Sequence, residues 1–458
     1  MRLIAFLSTL AVFLMIASPA LALDTAATHG ASPMMVDHPG AVLCLIVFVI
    51  SYIAVLFEER TQLRKSKPVM LGAGIIWVTI AFIAPDFGVT HDQLRTAVFH
   101  GLDEYASLLL FLLAAMTYIS ALQERQVFTA LRSKLVQAGL NMRQLFWVTG
   151  LLAFFLSPVA DNMTTALVMG AVVMAVGAND PKFVALACIN IVNAANAGGA
   201  FSPFGDITTL MVWQSGKIPF FDFLPLFLPA VVCFLVPAVA MHGFIAKHRP
   251  LALGEDVVMK RGAKSIIALG FLTIVMAVSF EQFLGLPPFI GMMMGLSLLM
   301  IAAFVIQHIG EGRDQEFDIL DLVRSAEWDT LLFFFGVIFS VGGLSYLGWL
   351  DIASSVLYDG YGPHVANIGL GFISAVIDNI PVMYAVLSMD PEMSEFHWLL
   401  ATLTTGVGGS LLSIGSAAGV ALMGVARGQY TFAKHLRWTP VILLGYIAAV
   451  AIHYWLNG

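Results

Sequence analysis

Two stretches of the chain, FLSPVADNMTTALVMGAV from Phe155 and FISAVIDNIPVMYAVLSM from Phe372, each set a serine and an Asp-Asn pair inside apolar sequence. Asp161 and Asp378 are the formal charges of these stretches. A carboxylate at membrane depth costs about 2.5–3.5 kcal/mol or more, and such a residue typically binds or moves an ion. A third acid, Asp206, stands in NAANAGGAFSPFGDITT with Asn193, Asn196, Ser202, Thr208 and Thr209. The related stretch TLTTGVGGSLLSIGSAAG offers Thr404, Thr405, Ser410, Ser413 and Ser416 but no carboxylate, so Ser416 stands where Asp206 does. Between Gln144 and Gln214 the sequence has Lys182 as its sole Lys or Arg, and between Pro363 and Ala426 it has neither. Acids placed so far from bases call for a mobile cation. Carboxylate, amide, hydroxyl and carbonyl oxygens are hard ligands that suit Na+ or Li+, and burial makes a carboxyl hold its proton more tightly. One carboxylate can therefore hold a cation or a proton, which is sufficient for exchange. Three acids would repel a dicarboxylate by several kcal/mol at short range and low dielectric.

The elements that hold these residues must be helices in a bilayer. The chain is 59% hydrophobic and 11% charged, with a mean hydropathy of +0.89. Apolar spans run roughly from 41 to 57, 69 to 84, 105 to 122, 144 to 177, 183 to 213 and 223 to 245. A second set runs from 265 to 280, 288 to 306, 331 to 348, 363 to 389, 397 to 427 and 438 to 456. The 144 to 177 stretch is too long for one crossing. Its flanks of about 13 residues give roughly 20 Å of helix at about 1.5 Å per residue, short of the roughly 30 Å of hydrocarbon. A re-entrant hairpin fits both this stretch and 363 to 389, with the irregular turn facing protein or a wet cavity. Glycines with Pro203 predict a broken helix over 183 to 213, and the glycine-rich run over 397 to 427 predicts another.

Charge supports that layout. With the hairpins returning to their own side, the cytoplasmic loops collect nineteen of the Lys and Arg residues, and the opposite face holds Arg95 and Lys217. A single crossing at 144 to 177 would instead expose the loop carrying Lys247, Arg249, Lys260, Arg261 and Lys264. The two halves also match in order. Glu104 pairs with Glu327, Ser157 and Asp161-Asn162 with Ser374 and Asp378-Asn379, Gly198-Gly199 and Gly205 with Gly408-Gly409 and Gly415, and Pro229 with Pro440. Five crossings in each half make the copies inverted, a design that places the site at the midplane. The expected fold is an all-α polytopic membrane protein of two inverted repeats, each with five crossings, a hairpin and a broken helix. Its parts are a cleavable signal over 1–22, ending at Ala20-Leu21-Ala22, a first repeat over 41–245, a cytoplasmic linker over 246–264 and a second repeat over 265–456.

Plainer roles compete for the same residues. The glycines could serve close packing, Asn162 and Asn379 could tie up hairpin backbone, and Asp161, Asp206 and Asp378 could cap helices. His100 and Glu104 open the third span, where Glu104, like Glu327, could cap and His100 could sense pH. His242, His308 and His453 read as interfacial. The segment 126 to 138 alternates apolar and basic residues and reads as an arm on the cytoplasmic interface. Cys44, Cys188 and Cys233 read as buried free thiols without a metal spacing. A net charge of -7 without a basic patch argues against nucleic acid, and no GxSxG, HExxH or Ser-Lys core argues for an enzyme. A channel is disfavoured by broken, repeated helices.

SPVADNMTTALVMGAV, NAANAGGAFSPFGDITTLMVW, SAVIDNIPVMYAVLSM and GVGGSLLSIGSAAGVALMG resemble the NhaD-type sodium/proton antiporters of the ion transporter superfamily, over nearly the whole mature chain. The resemblance implies efflux of Na+ or Li+ driven by inward H+ across a bacterial inner membrane, with no cofactor beyond the transported ions. It places the polar core on Asp161, Asn162, Thr164, Asn196, Asp206, Thr208, Thr209, Ser374, Asp378, Asn379, Ser413 and Ser416, with Na+ at Asp161, Asp206 and Asp378. His100, Glu104 and Glu327 are secondary candidates. It further implies an elevator-like movement and a homodimer in the lipid bilayer. A sodium-coupled carboxylate or oxyanion transporter of the same architecture is the alternative expectation.

Overall fold

The computed structural model describes residues 35–177, 180–248, 256–309, 317–426 and 428–458. The expected signal segment 1–22 and part of the 246–264 linker lie outside them. The described residues form helices joined by loops and turns, with no strand among them. In chain order they include α1 (Pro39–Leu56), α2 (Ser66–Ile83), α3 (His91–Glu124), α4 (Val127–Gln137), α5 (Met142–Ala160), α6 (Asn162–Val176), α7 (Pro181–Gly199), α8 (Ile207–Gln214) and α9 (Phe227–His242). They continue with α10 (Ala263–Leu284), α11 (Pro288–His308), α12 (Trp328–Tyr346), α13 (Gly362–Ser374), α14 (Asn379–Met389), α15 (Glu395–Gly408), α16 (Ala417–Val425), α17 (Phe432–Leu436) and α18 (Thr439–Asn457). Among the described residues, eight helices are long and apolar enough to cross a membrane. The chain is a polytopic membrane protein.

Local signals set the ends of these helices. A capping box starts α5, with Asn141 Oδ1 accepting from Gln144 N at 3.0 Å and Gln144 Oε1 from Asn141 N at 3.0 Å. The long apolar stretch from 144 breaks at Asp161 into α5 and α6, which pack along each other. Breaks also divide α7 from α8 and α15 from α16. The third span differs from expectation. Hydropathy marks only the apolar part of α3, while a Thr90–Gln93 box, with Gln93 Oε1 accepting from Thr90 N at 2.9 Å, starts the helix well before residue 105. His100 and Glu104 therefore lie inside α3 and cap nothing. The amphipathic segment forms α4, whose buried Ala130, Ser133 and Val136 accompany its packing on α6.

The chain separates into two compact units, and each draws on both sequence halves. One unit comprises the described residues up to Ala106, Glu327–Ala366 and Pro381–Met393. In it α2 packs against α1 and α12, with Trp77 Nε1 donating to Phe339 O at 2.8 Å and Ser66 Oγ to Asp329 Oδ1 at 2.5 Å. Gly336 makes the α2–α12 approach possible, since a Cβ there would lie 2.8 Å from Met70 N. The other unit comprises Ser107–Ala326, Asn367–Ile380 and Ser394–Gly458. It holds α5 to α11 and α15 to α18, with α7 packed between α5, α6 and α9 and buried over nearly all its length.

Candidate functional site

The second unit gathers both broken helices and the two Asp-Asn turns. Identical devices anchor them. Ser157 Oγ donates to Ala195 O at 2.6 Å, and Ser374 Oγ donates to Thr405 O at 2.7 Å, so each hairpin is pinned to its broken helix by one buried hydroxyl. A Cβ on Gly198 would strike Phe154 O, and one on Gly408 would strike Gly371 O. The paired glycines are thus packing positions, whatever else they do.

Asp206 is the hub of the polar residues. It is 4% exposed and N-caps α8, its Oδ1 accepting from Thr208 N and Oγ1, both at 3.0 Å. Asn162 Nδ2 donates to Oδ2 at 3.0 Å, and Asn379 Nδ2 reaches both oxygens at 3.2 and 3.1 Å. A carboxylate accepts only, so both amides must turn their nitrogens toward it. The asparagines of the two Asp-Asn pairs therefore converge on one acid from opposite sequence halves, rather than binding their own turns. Every one of these four donor groups is neutral. The charge of Asp378 also acts on Asp206, and Asp378 Oδ1 accepts from Ile380 N at 3.5 Å.

A second layer joins the hub to the other break. Asn196 Oδ1 accepts from Ser416 Oγ at 3.0 Å and from Asn162 Nδ2 at 3.3 Å, and Asn196 Nδ2 donates to Ser410 Oγ at 2.9 Å. Thr209 is buried, and its Oγ1 has no hydrogen-bond partner. An orphaned oxygen at that depth is an available ligand.

Other expected residues serve differently. Asp161 sits at φ 57° and ψ 159°, outside the regions L-residues favour, and its carboxylate accepts from Thr164 N and Thr164 Oγ1, both at 2.8 Å. It caps α6, and Thr164 helps it do so. Ser374 is tied to backbone as described, and Ser413 bonds Tyr430 Oη at 2.6 Å rather than the hub. His100, Glu104 and Glu327 belong to the first unit. There His100 Nδ1 lies 3.7 Å from Glu104 Oε1, and Tyr384 Oη donates to Glu104 Oε2 at 2.7 Å. Glu327 occupies the N-cap position of α12 but accepts from Thr330 Oγ1 at 3.3 Å instead of capping the backbone. Sequence reasoning missed Tyr384, Tyr430 and His435. Nothing in their local patterns marks them as buried partners.

Residues 4–406 match the family model described as a citrate transporter. The Na(+)/H(+) antiporter NhaD of Vibrio cholerae is 54% identical over 435 residues, covering 90% of this chain and 91% of that protein. Its namesake from Alkalimonas amylolytica is 54% identical over 437 residues, 91% of this chain and 90% of that one. The sodium/proton antiporter 1 of Arabidopsis thaliana is 33% identical over 423 residues, 89% of this chain and 71% of that protein.

Proposed function

The chain belongs to the citrate-transporter family and to its NhaD-type sodium/proton antiporter relatives, and from that premise we propose that it exchanges Na+ or Li+ for H+ at Asp206. One observation carries the reading: a buried carboxylate whose hydrogen-bond donors among the described residues are all neutral, two of them the amides of the Asp-Asn pairs. Neutral donors leave the net charge in place, so the site attracts a cation or a proton and holds one at a time. When a cation enters, Asn162 and Asn379 can each rotate their amides to present Oδ1, and Thr209 Oγ1 supplies a further oxygen. When it leaves, a proton takes the carboxylate and the amides turn back. Asp161 and Asp378 flank this centre as capping and charge-bearing groups, with Asn196, Thr164, Thr208, Ser374, Ser413 and Ser416 shaping it.

Inverted repeats over 41–245 and 265–456, joined by the 246–264 linker, would carry the site between the two faces by an elevator-like movement. The matched bonds from Ser157 and Ser374 support a duplicated core. The protein would act as a homodimer in a bacterial inner membrane after loss of residues 1–22. The test is exchange in proteoliposomes. Added Na+ or Li+ should dissipate an imposed pH gradient, and Asp206→Asn should abolish this in folded protein. Citrate uptake without cation–proton exchange would replace this reading with the carboxylate-carrier alternative.

A further inference from the structure

The break between α15 and α16 is closed only in part by its own chain, with Ser410 N donating to Val407 O, Leu411 N to Gly408 O and Ser413 N to Gly409 O. Residues 409–416 are turns and bends, and such backbone at membrane depth must find partners. Its Ser410 and Leu411 carbonyls and its Ser413 hydroxyl find theirs in the chain that follows α16. His435 Nε2 lies 2.7 Å from Ser410 O, Thr439 Oγ1 donates to Leu411 O at 2.7 Å, and Tyr430 Oη lies 2.6 Å from Ser413 Oγ and 2.9 Å from His435 Nδ1. His435 is fully buried and Tyr430 is 1% exposed.

The direction of these bonds is fixed by chemistry. A carbonyl oxygen only accepts, so His435 carries its proton on Nε2 and donates to Ser410 O. Burial pushes the imidazole pKa down to about 4, which keeps the ring neutral and leaves Nδ1 an acceptor for Tyr430 Oη–H. Tyr430 Oη then accepts from Ser413 Oγ–H. Ser413 needs such a tie, because its φ of 66° is a conformation side chains rarely adopt. Ser410 is also the residue whose Oγ accepts from Asn196, which bonds Asn162 and Ser416. A path of hydrogen bonds thus runs from His435 through the main chain and hydroxyl of Ser410 to Asn196 and the Asn162 amide on Asp206.

Gly198, Gly199 and Gly205 relate to Gly408, Gly409 and Gly415 by a constant offset of 210, and at that offset Ser410 and Ser413 correspond to Ala200 and Pro203. Among the described residues the first break has no Tyr–His pair of this kind. The first break is tied by Ser202 Oγ donating to Pro158 O at 2.9 Å and by the Asp206 carboxylate, whereas the second, which lacks a carboxylate, takes its partners from Tyr430, His435 and Thr439.

We propose that His435 and Tyr430 are positioning residues for cation binding, a neutral brace that holds Ser410 and Ser413 so that Asn196 and Asn162 meet the ion correctly. The proposal rests on the exchange reading above and adds residues outside its binding set. A positioning role should weaken cation affinity while sparing the transport step. In proteoliposomes, His435→Phe and Tyr430→Phe should raise half-saturating Na+ about tenfold with the maximal rate kept within about twofold, in line with one or two buried hydrogen bonds lost. His435→Gln, which offers a donor and an acceptor at similar separation, should restore half-saturation to within about threefold of the parent. His453→Phe, at a comparably buried histidine that bonds Phe396 O, should leave it unchanged.

Parent-like half-saturation in both Phe variants would overturn the assignment, and so would equal losses in His435→Gln and His435→Phe or in His453→Phe. Tyr430→Phe removes one oxygen and serves if the histidine variants misfold. Hydrogen exchange over residues 409–416 gives a readout that needs no ion flux. It should quicken in the Phe variants, and unchanged protection would refute the brace. Failure of the parent to exchange ions, with protection still lost in the variants, would instead count against the exchange reading alone.

Discussion

At the break between α7 and α8, a Cβ on Gly199 would sit 2.7 Å from Gly205 O; between α15 and α16, a Cβ on Gly409 would sit 2.7 Å from Gly415 O. The backbone solution is the same. What fills it is not. The first break ends in Asp206, which caps α8 with its own carboxylate, and an aromatic cluster backs it, with Phe204 5.5 Å from Phe111, 5.8 Å from Trp213 and 6.0 Å from Phe220. The second ends in Ser416, whose side chain makes no cap, and Tyr430, His435 and Thr439 back it with hydrogen bonds. One break concentrates charge on a single carboxylate backed by aromatic rings, and the other spreads neutral polarity along its turns. An acid that must attract a cation works best where the surroundings cannot answer its charge. Its partner break can then supply dipoles without adding a second charge.

The largest expected effect tests that division directly. Asp206→Asn should reduce Na+-dependent proton flux by at least about a hundredfold, whereas Ser416→Ala should raise half-saturating Na+ by only about threefold to tenfold, the scale of one neutral hydrogen bond. Equal losses would erase the asymmetry. The amides should rank next. Asn379 spans both Asp206 oxygens and Asn162 touches one, so Asn379→Ala should cost about tenfold to a hundredfold in apparent affinity and Asn162→Ala less. A reversed order, read from the same flux assay, would mean that Asp206 is not the centre on which they converge.

Close packing offers a third test, through stability. Gly408→Ala and Gly198→Ala each drive a methyl into a backbone carbonyl, which cannot move as a side chain tip can. Overpacking of this kind costs about 1–3 kcal/mol, so both should lower the unfolding temperature of the solubilised protein. Gly369→Ala in α13 meets open space and should be neutral or mildly stabilising, by up to about 1 kcal/mol. If either of the first two tolerated alanine, the shared backbone solution would be looser than the contacts imply.

Much of this arrangement is legible in the sequence because membrane burial makes polar residues conspicuous. Asp161, Asp206 and Asp378 stand out against apolar neighbours, and Pro203 with the glycine pairs announces the breaks. The two Asp-Asn pairs read as equals, however, and only the fold turns both asparagines onto Asp206 while giving Asp161 to Thr164. Capping and coordination use the same atoms, and sequence spacing cannot separate them. Loop residues are harder still. Tyr430 and His435 lie in RGQYTFAKHLRW, which reads as a solvated basic loop, and Arg125 reads as another surface cation. Yet Arg125 is fully buried, its guanidinium 3.9 Å from the Phe317 ring centroid, and its main chain accepts from Lys260 N at 3.0 Å. Such burial is imposed by chain segments distant in sequence. The start of α3 was hidden for a related reason, since hydropathy reports the bilayer and not the helix.

The smallest expected effect separates the two backings by their response to acid. The aromatic cluster behind the first break has nothing to protonate, but His435 behind the second has a pKa of about 4 against an ordinary 6.5. Because the folded value lies below the unfolded one, the unfolded chain binds more protons between these limits. Stability contributed by the neutral ring is therefore complete above about 6.5 and is lost progressively as pH falls toward 4. Between pH 7.5 and pH 5 the parent should lose a few degrees more in unfolding temperature than His435→Gln, which cannot titrate there, roughly the shift expected for about 1–2 kcal/mol. Identical pH slopes for parent and variant would show that the imidazole is already free to charge in the folded protein, and the neutral character assigned to the second break would fail with it.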